Sequence, residues 1–102
     1  MELWVYILLC SDGSYYVGST KRDPHGRAWE HNQGAVPGYT RTRRPVTLVF
    51  AEHHERLDEG FFREQQIKRW SRAKKEALIK GDFNTLSALA RSARPRGSTG
   101  SP

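Results

Sequence analysis

The 102-residue chain predicts an α+β fold, a three-stranded antiparallel sheet in the order β-β-α-β-α-α, flanked by helices. Two observations carry that expectation. "WVYILLC" and "YYVGST" are aromatic, β-branched runs on either side of "SDGS", and Asp-Gly between such runs is a strong hairpin signal. Downstream, one alternating run, "VTLVFAE", precedes three stretches with helical spacing and helix-starting residues.

The hairpin comes first, and its register matters because Tyr6 lies in one run while Tyr15 and Tyr16 open the other. Side chains alternate along a strand, so a one-residue slip moves a whole set to the other face. A two-residue Asp12-Gly13 turn would pair Leu9 with Tyr16 and put Tyr6 and Tyr16 on opposite faces. A three-residue loop, with Gly13 or Ser14 in the left-handed region and a bulge, would pair Tyr16 with Cys10 and Tyr6 with Thr20, on one face.

"DPHGRAWEHNQG" follows as a short helix, with Asp23 as N-cap, Pro24 at the first helical position and Gly34 at the C-terminal end. Gly26 in its first turn costs about 1 kcal/mol relative to Ala. "AVPGYTRTRRP" is a loop, and 46–52 forms the third strand. Helices are expected over 56–70, over 71–81 opened by Ser71, and over 82–92 capped by Asp82. The expected organisation is a domain over 1–82, a short helix over 83–92, and a disordered tail over 93–102, which has no apolar residues to bury.

Composition narrows the function. Leu, Ile, Val and Phe number only twenty, so the three Trp and four Tyr are expected to carry much of the core. The net charge of +6 favours a polyanionic partner, although Arg91, Arg94 and Arg96 supply half of it and residues 1–90 carry +3. A single cysteine, Cys10, excludes an intrachain disulfide and a multi-cysteine zinc site. The longest apolar run, Leu3 to Cys10, is too short to span a bilayer and lacks the flanks of a signal peptide. A cytoplasmic protein without membrane contact is the expectation.

Three groups of residues invite chemistry. Arg27 and His31 are four apart and share a helix face. That is either a solvated face or a phosphate clamp beside a water-orienting imidazole. Glu64 falls in the sector of its helix shared by Leu57, Phe61 and Ile67. A carboxylate there needs a partner, Arg27 among the candidates, or a metal ion. Basic residues Arg41, Arg43, Arg44, Lys68, Arg69 and Arg72 gather near Tyr39 and Trp70, a mixture that suits either solvated surface or a nucleic-acid backbone.

"VYI" at 5–7 and "YVG" at 16–18, followed by "GST", "RAWEHN", "YTRTRRPVTLVFAE" and "FFREQQIKRWSRAKKEALI", resemble the GIY-YIG nuclease superfamily over about residues 3–80. The run of motifs is similar to its small single-domain branch, related to the nuclease module of the excision-repair subunit UvrC. The resemblance implies a metal-dependent endonuclease that hydrolyses phosphodiester bonds in DNA with low sequence specificity, structure-selective in repair or recombination. It implies Tyr6 as general base or positioner of the attacking water and Tyr16 as a partner of the scissile phosphate. Gly18 would let backbone approach, Arg27 would stabilise transition-state charge, and His31 would assist water activation or phosphate binding. Glu64 would be the lone carboxylate holding Mg²⁺ or Mn²⁺. Lys21, Arg41, Arg43, Arg44, Lys68, Arg69 and Arg72 are the expected backbone-binding residues, acting in a monomer on branched or single-stranded DNA, or on RNA. The resemblance also requires the three-residue loop, which is therefore the expected register. The alternative function is a catalytically weak nucleic-acid-binding module on the same scaffold.

Overall fold

The computed structural model describes residues 2–92; the expected disordered tail over 93–102 lies outside them. Strands β1 (Leu3–Leu9) and β2 (Tyr15–Thr20) lead into helix α1 (Pro24–Asn32), a 3₁₀ turn (Tyr39–Thr42) and strand β3 (Thr47–His54). Helices α2 (Leu57–Lys68), α3 (Arg72–Lys80) and α4 (Phe83–Ser92) complete the chain. The antiparallel sheet has the order β2-β1-β3, so the first strand is central and reads as an almost unbroken apolar run. The chain divides into two compact units, one up to Arg69 and one from Trp70 onward. The sheet, α1 and α2 belong to the first; α3 and α4 form the second.

The hairpin loop has three residues, Ser11-Asp12-Gly13. The Cys10 N–H donates to the Ser14 carbonyl at 2.8 Å and the Gly13 N–H to the Cys10 carbonyl at 2.9 Å. Gly13 sits at φ 85°, where only glycine is unstrained. The pairing differs from the expected one: Tyr6 faces Gly18 rather than Thr20, and Tyr16 faces Leu8 rather than Cys10. Ser11 is the reason. Its N–H bonds the Arg43 carbonyl at 2.9 Å, outside the hairpin, so the ladder closes at Cys10 and Ser14 instead of Ser11 and Tyr15. Because the displacement is two residues, parity survives and Tyr6 and Tyr16 still share a face.

That face meets α1. Tyr6, Leu8 and Cys10 pack with Ala28 and Val46, flanked by Tyr16 and Leu48. On the other face Leu3 lies against α2 at Gly60, where a Cβ would come 2.7 Å from the Leu3 Cδ2. The core is aliphatic, contrary to the expectation from composition. Leu3, Val5, Ile7, Leu8 and Ile67 are fully buried, whereas among the described residues Tyr6 is the one buried member of the Trp, Tyr and Phe set and Trp29 lies 63% exposed. A central strand with a helix on each side fills both layers with medium-sized side chains and leaves the indoles at the margin.

The caps behave as the sequence predicts. Asp23 accepts from the His25 N–H at 3.0 Å with Pro24 at the helix start, Gly34 turns left-handed after α1, and Ser71 and Asp82 cap α3 and α4. Helix α2 is shorter than 56–70 and its buried stripe is Gly60, Glu64 and Ile67, so Phe61 points outward. No helix among the described residues is long and apolar enough to cross a membrane.

Candidate active site

The shared face of the hairpin carries a buried hydrogen-bonded chain. The Tyr6 hydroxyl lies 3.0 Å from His31 Nε2, and His31 Nδ1 lies 2.7 Å from Thr40 Oγ1. All three residues are at most 1% exposed. Buried hydroxyls need acceptors, so the Tyr6 O–H donates to Nε2, which puts the imidazole proton on Nδ1 and directs it at Thr40. The sequence places His31 by helix geometry: four residues beyond Arg27 and three beyond Ala28, it turns inward beside the buried alanine. The end of α1 is pinned by Asn32, whose amide donates to the Val46 carbonyl at 2.9 Å and accepts from the Val46 N–H at 2.7 Å.

Burial pushes the Tyr6 phenol up to about 12, against the Arg27 guanidinium, which pulls it down; Tyr16 and Glu64 add smaller upward pushes. Burial, then Arg27, hold His31 below the usual imidazole range, so it is a neutral base near pH 7. Arg27 is oriented by Glu30 at 2.9 Å and also interacts with Tyr6. The reading of Arg27 and His31 as a solvated face fails at His31. Gly18 explains its own identity: a Cβ there would sit 2.7 Å from the Tyr6 hydroxyl and 3.0 Å from the Tyr16 ring. Tyr16 is only partly buried, with its ring 6.4 Å from Tyr6 and 5.2 Å from His31.

Glu64 is 8% exposed, and its Oε2 meets the Lys68 Nζ at 2.9 Å. The partner is thus Lys68, one turn along α2, and not Arg27, which is taken by Glu30. No cluster of three or more His, Cys, Asp or Glu able to hold a metal ion occurs among the described residues. A lone buried carboxylate still fits Mg²⁺ or Mn²⁺, which keep several waters and draw further oxygen ligands from substrate phosphate. The Lys68 ammonium now neutralises Glu64, and the lysine side chain is itself exposed.

The basic residues divide. Arg43 stacks over the Tyr39 ring at 3.8 Å and bonds Asp12 at 3.0 Å, and Arg44 donates to the Arg41 and Asn32 carbonyls, so both are engaged in holding the loop. Lys68 is paired as described, and Arg72 pairs with Glu76 at 3.2 Å within the second unit. Lys21, Arg41 and Arg69 are exposed. Two site neighbours, Thr40 and Glu30, are absent from the sequence-based set, and Tyr39, singled out there only beside the basic residues, stacks on Tyr16 at 6.2 Å. Glu30 was accessible from its three-residue spacing to Arg27; Thr40 and Tyr39 belong to a loop with no periodicity to place them.

The same fold and family occur among known proteins. A family model described as the GIY-YIG catalytic domain matches residues 2–77. A UPF0213 protein of Staphylococcus aureus is 48% identical over 77 residues, covering 76% of this chain and 93% of that protein. The solution NMR structure of a UPF0213 protein from Bacillus halodurans superposes with a TM-score of 0.52 at 37% identity, over 87% of this chain and 97% of that one. That of a protein from E. faecalis gives 0.55 at 35% identity, over 81% and 88%.

Proposed function

The chain belongs to the GIY-YIG catalytic-domain family, and we propose that it is a metal-dependent endonuclease cleaving phosphodiester bonds in DNA with low sequence specificity. The observation that carries this reading is the Tyr6–His31–Thr40 chain, buried beneath Arg27 on the face shared with Tyr16. Burial alone requires one acceptor for the phenol, but not an arginine bonding the same oxygen.

The proton path follows from the donors and acceptors. The Tyr6 oxygen takes a proton from the attacking water as its own proton passes to His31 Nε2. The imidazolium so formed keeps its Nδ1–H on Thr40. At about 12 the phenol is not a phenolate at neutral pH, so this concerted transfer replaces prior ionisation. Arg27 faces the phosphate with a permanent charge, held in direction by Glu30. Tyr16, more open than Tyr6, donates to a phosphate oxygen. Glu64 would hold Mg²⁺ or Mn²⁺ once Lys68 swings away, and the ion, when bound, supplies Lewis-acid stabilisation of the phosphate charge.

The Lys68–Glu64 pair also gives a second reading its support: a binding module in which lysine permanently neutralises the carboxylate. Wild type and Glu64→Ala, incubated with duplex, flap, branched and single-stranded DNA and an RNA in Mg²⁺ or Mn²⁺, separate the two. Cleavage by wild type, lost by about 10³-fold or more in Glu64→Ala with binding retained, supports the enzyme. Binding without cleavage of any substrate supports the module.

A further inference from the structure

Taking nucleic acid as the ligand, as the reading above does, we propose that the cleft beside Arg27 is a subsite for one unpaired nucleobase of the substrate, stacked on Trp29. The cleft measures about 300 Å³ and is lined by Thr20, Arg22, Asp23, Gly26, Arg27, Trp29 and Glu30. That volume is at the lower end of small-ligand sites, about 300–1,000 Å³. Because Arg27 lines it and also touches the Tyr6 phenol, a phosphate on Arg27 would have its neighbouring nucleotide at the cleft's mouth.

Three observations select a base as the occupant. Helix α1 buries Pro24, Ala28 and His31 yet turns Trp29 outward at 63% exposure, a large aromatic surface on a rigid element. Arg22 and Arg27 are balanced by Asp23 and Glu30, with Glu30 2.9 Å from Arg27 and 3.8 Å from Arg22. These four charges sum to zero, so the cleft holds no cationic surplus for a phosphate beyond the one on Arg27. An exposed indole in a charge-balanced cleft offers a stacking face to a neutral ring. Gly26 is the third observation. A Cβ there would meet nothing within 4 Å, so packing within the fold does not demand glycine, although glycine costs about 0.5–1 kcal/mol in a helix. An unobstructed approach to the indole accounts for it.

A second hollow shares Arg22 and Asp23 with the first and adds Glu2, Trp4, Lys21 and His25, so its lysine and arginine are likewise matched by two carboxylates. Stacking tolerates any base but requires one that is out of a duplex stack. The subsite thus implies low sequence specificity with a preference for an unpaired nucleotide beside the cut.

Binding in chelator tests this independently of cleavage. A fluorescein-labelled single-stranded oligonucleotide, and the same backbone made wholly of abasic residues, are titrated into wild type, Trp29→Ala and Trp29→Phe. The expected result is about tenfold weaker binding of the normal oligonucleotide by Trp29→Ala, near-complete retention by Trp29→Phe, and equal binding of the abasic strand by all three. Unchanged affinity of Trp29→Ala for the normal strand, or equal losses on both strands, would overturn the subsite. Trp29-dependent binding in a protein that cleaves nothing would leave the subsite standing and remove the endonuclease reading. No binding of the single strand at all would overturn the subsite and leave the endonuclease reading to the cleavage assay.

Discussion

The two faces of β1 are built from different materials. Toward α2 the strand presents Leu3, Val5 and Ile7, with Gly60 letting the helix settle on Leu3. Toward α1 it presents Tyr6, whose hydroxyl continues into His31 and Thr40. Tyr6 and the aliphatic residues are all buried, but the first face is held by shape and the second by oriented hydrogen bonds. Buried apolar contacts are forgiving in direction; a buried donor without its acceptor costs about 1–3 kcal/mol. Period-two alternation separates an aliphatic face, covered by the helix that carries Glu64, from the polar-aromatic face that carries Tyr6.

Tyr6→Phe is the sharpest way to break that division. It keeps the ring against Gly18 and removes the oxygen that both Arg27 and His31 use. Cleavage is expected to fall about 10²–10⁴-fold in single-turnover assays, the range for loss of a general acid–base group. Stability should drop only about 1–3 kcal/mol, because Nε2 of His31 loses its donor. A variant that cleaves at the wild-type rate would return Tyr6 to an ordinary strand aromatic.

Ile7→Ala probes the other face. It empties a fully buried site and should cost about 2–5 kcal/mol in denaturant unfolding. Cleavage per folded molecule should stay within about twofold of wild type. A large rate loss at unchanged fold would mean that the aliphatic face also sets the alignment of Tyr6, and the comparison would dissolve.

How much of this was legible in sequence follows the same line. The hairpin, the helix caps and the helical face shared by Arg27 and His31 are local, and each depends on spacings of a few residues. The common face of Tyr6 and Tyr16 survived a two-residue error in register only because parity repeats every two residues. Glu64 was singled out correctly as an inward carboxylate, but its Lys68 partner, visible as an i,i+4 pair, was overlooked in favour of Arg27. Thr40 was out of reach. Its contact with His31 depends on the path of a loop whose arginines are spent on Tyr39, Asp12 and backbone carbonyls, and no periodicity encodes that path.

The smallest expected effect concerns Thr40 and reads out in pH. Burial and Arg27 set the folded pKa of His31 below its unfolded value near 6.5, with Glu30 opposing weakly. Below pH 6.5 the unfolded chain binds more protons than the folded one. The stability held in the neutral imidazole is therefore complete above that pH and is lost as pH falls through the folded value. Cleavage should fall on the same acid limb, because a protonated Nε2 no longer accepts the Tyr6 proton. Thr40→Val removes the acceptor of the Nδ1–H, which disfavours the imidazolium more than the neutral ring. Its rate should drop about tenfold, in line with the 0.5–1.5 kcal/mol of one net hydrogen bond. Its acid limb should move to lower pH, and Thr40→Ser should restore both. A Thr40→Val enzyme slowed tenfold with an unmoved acid limb would show that Thr40 only packs the loop, and that the Nδ1 proton is not part of the chemistry.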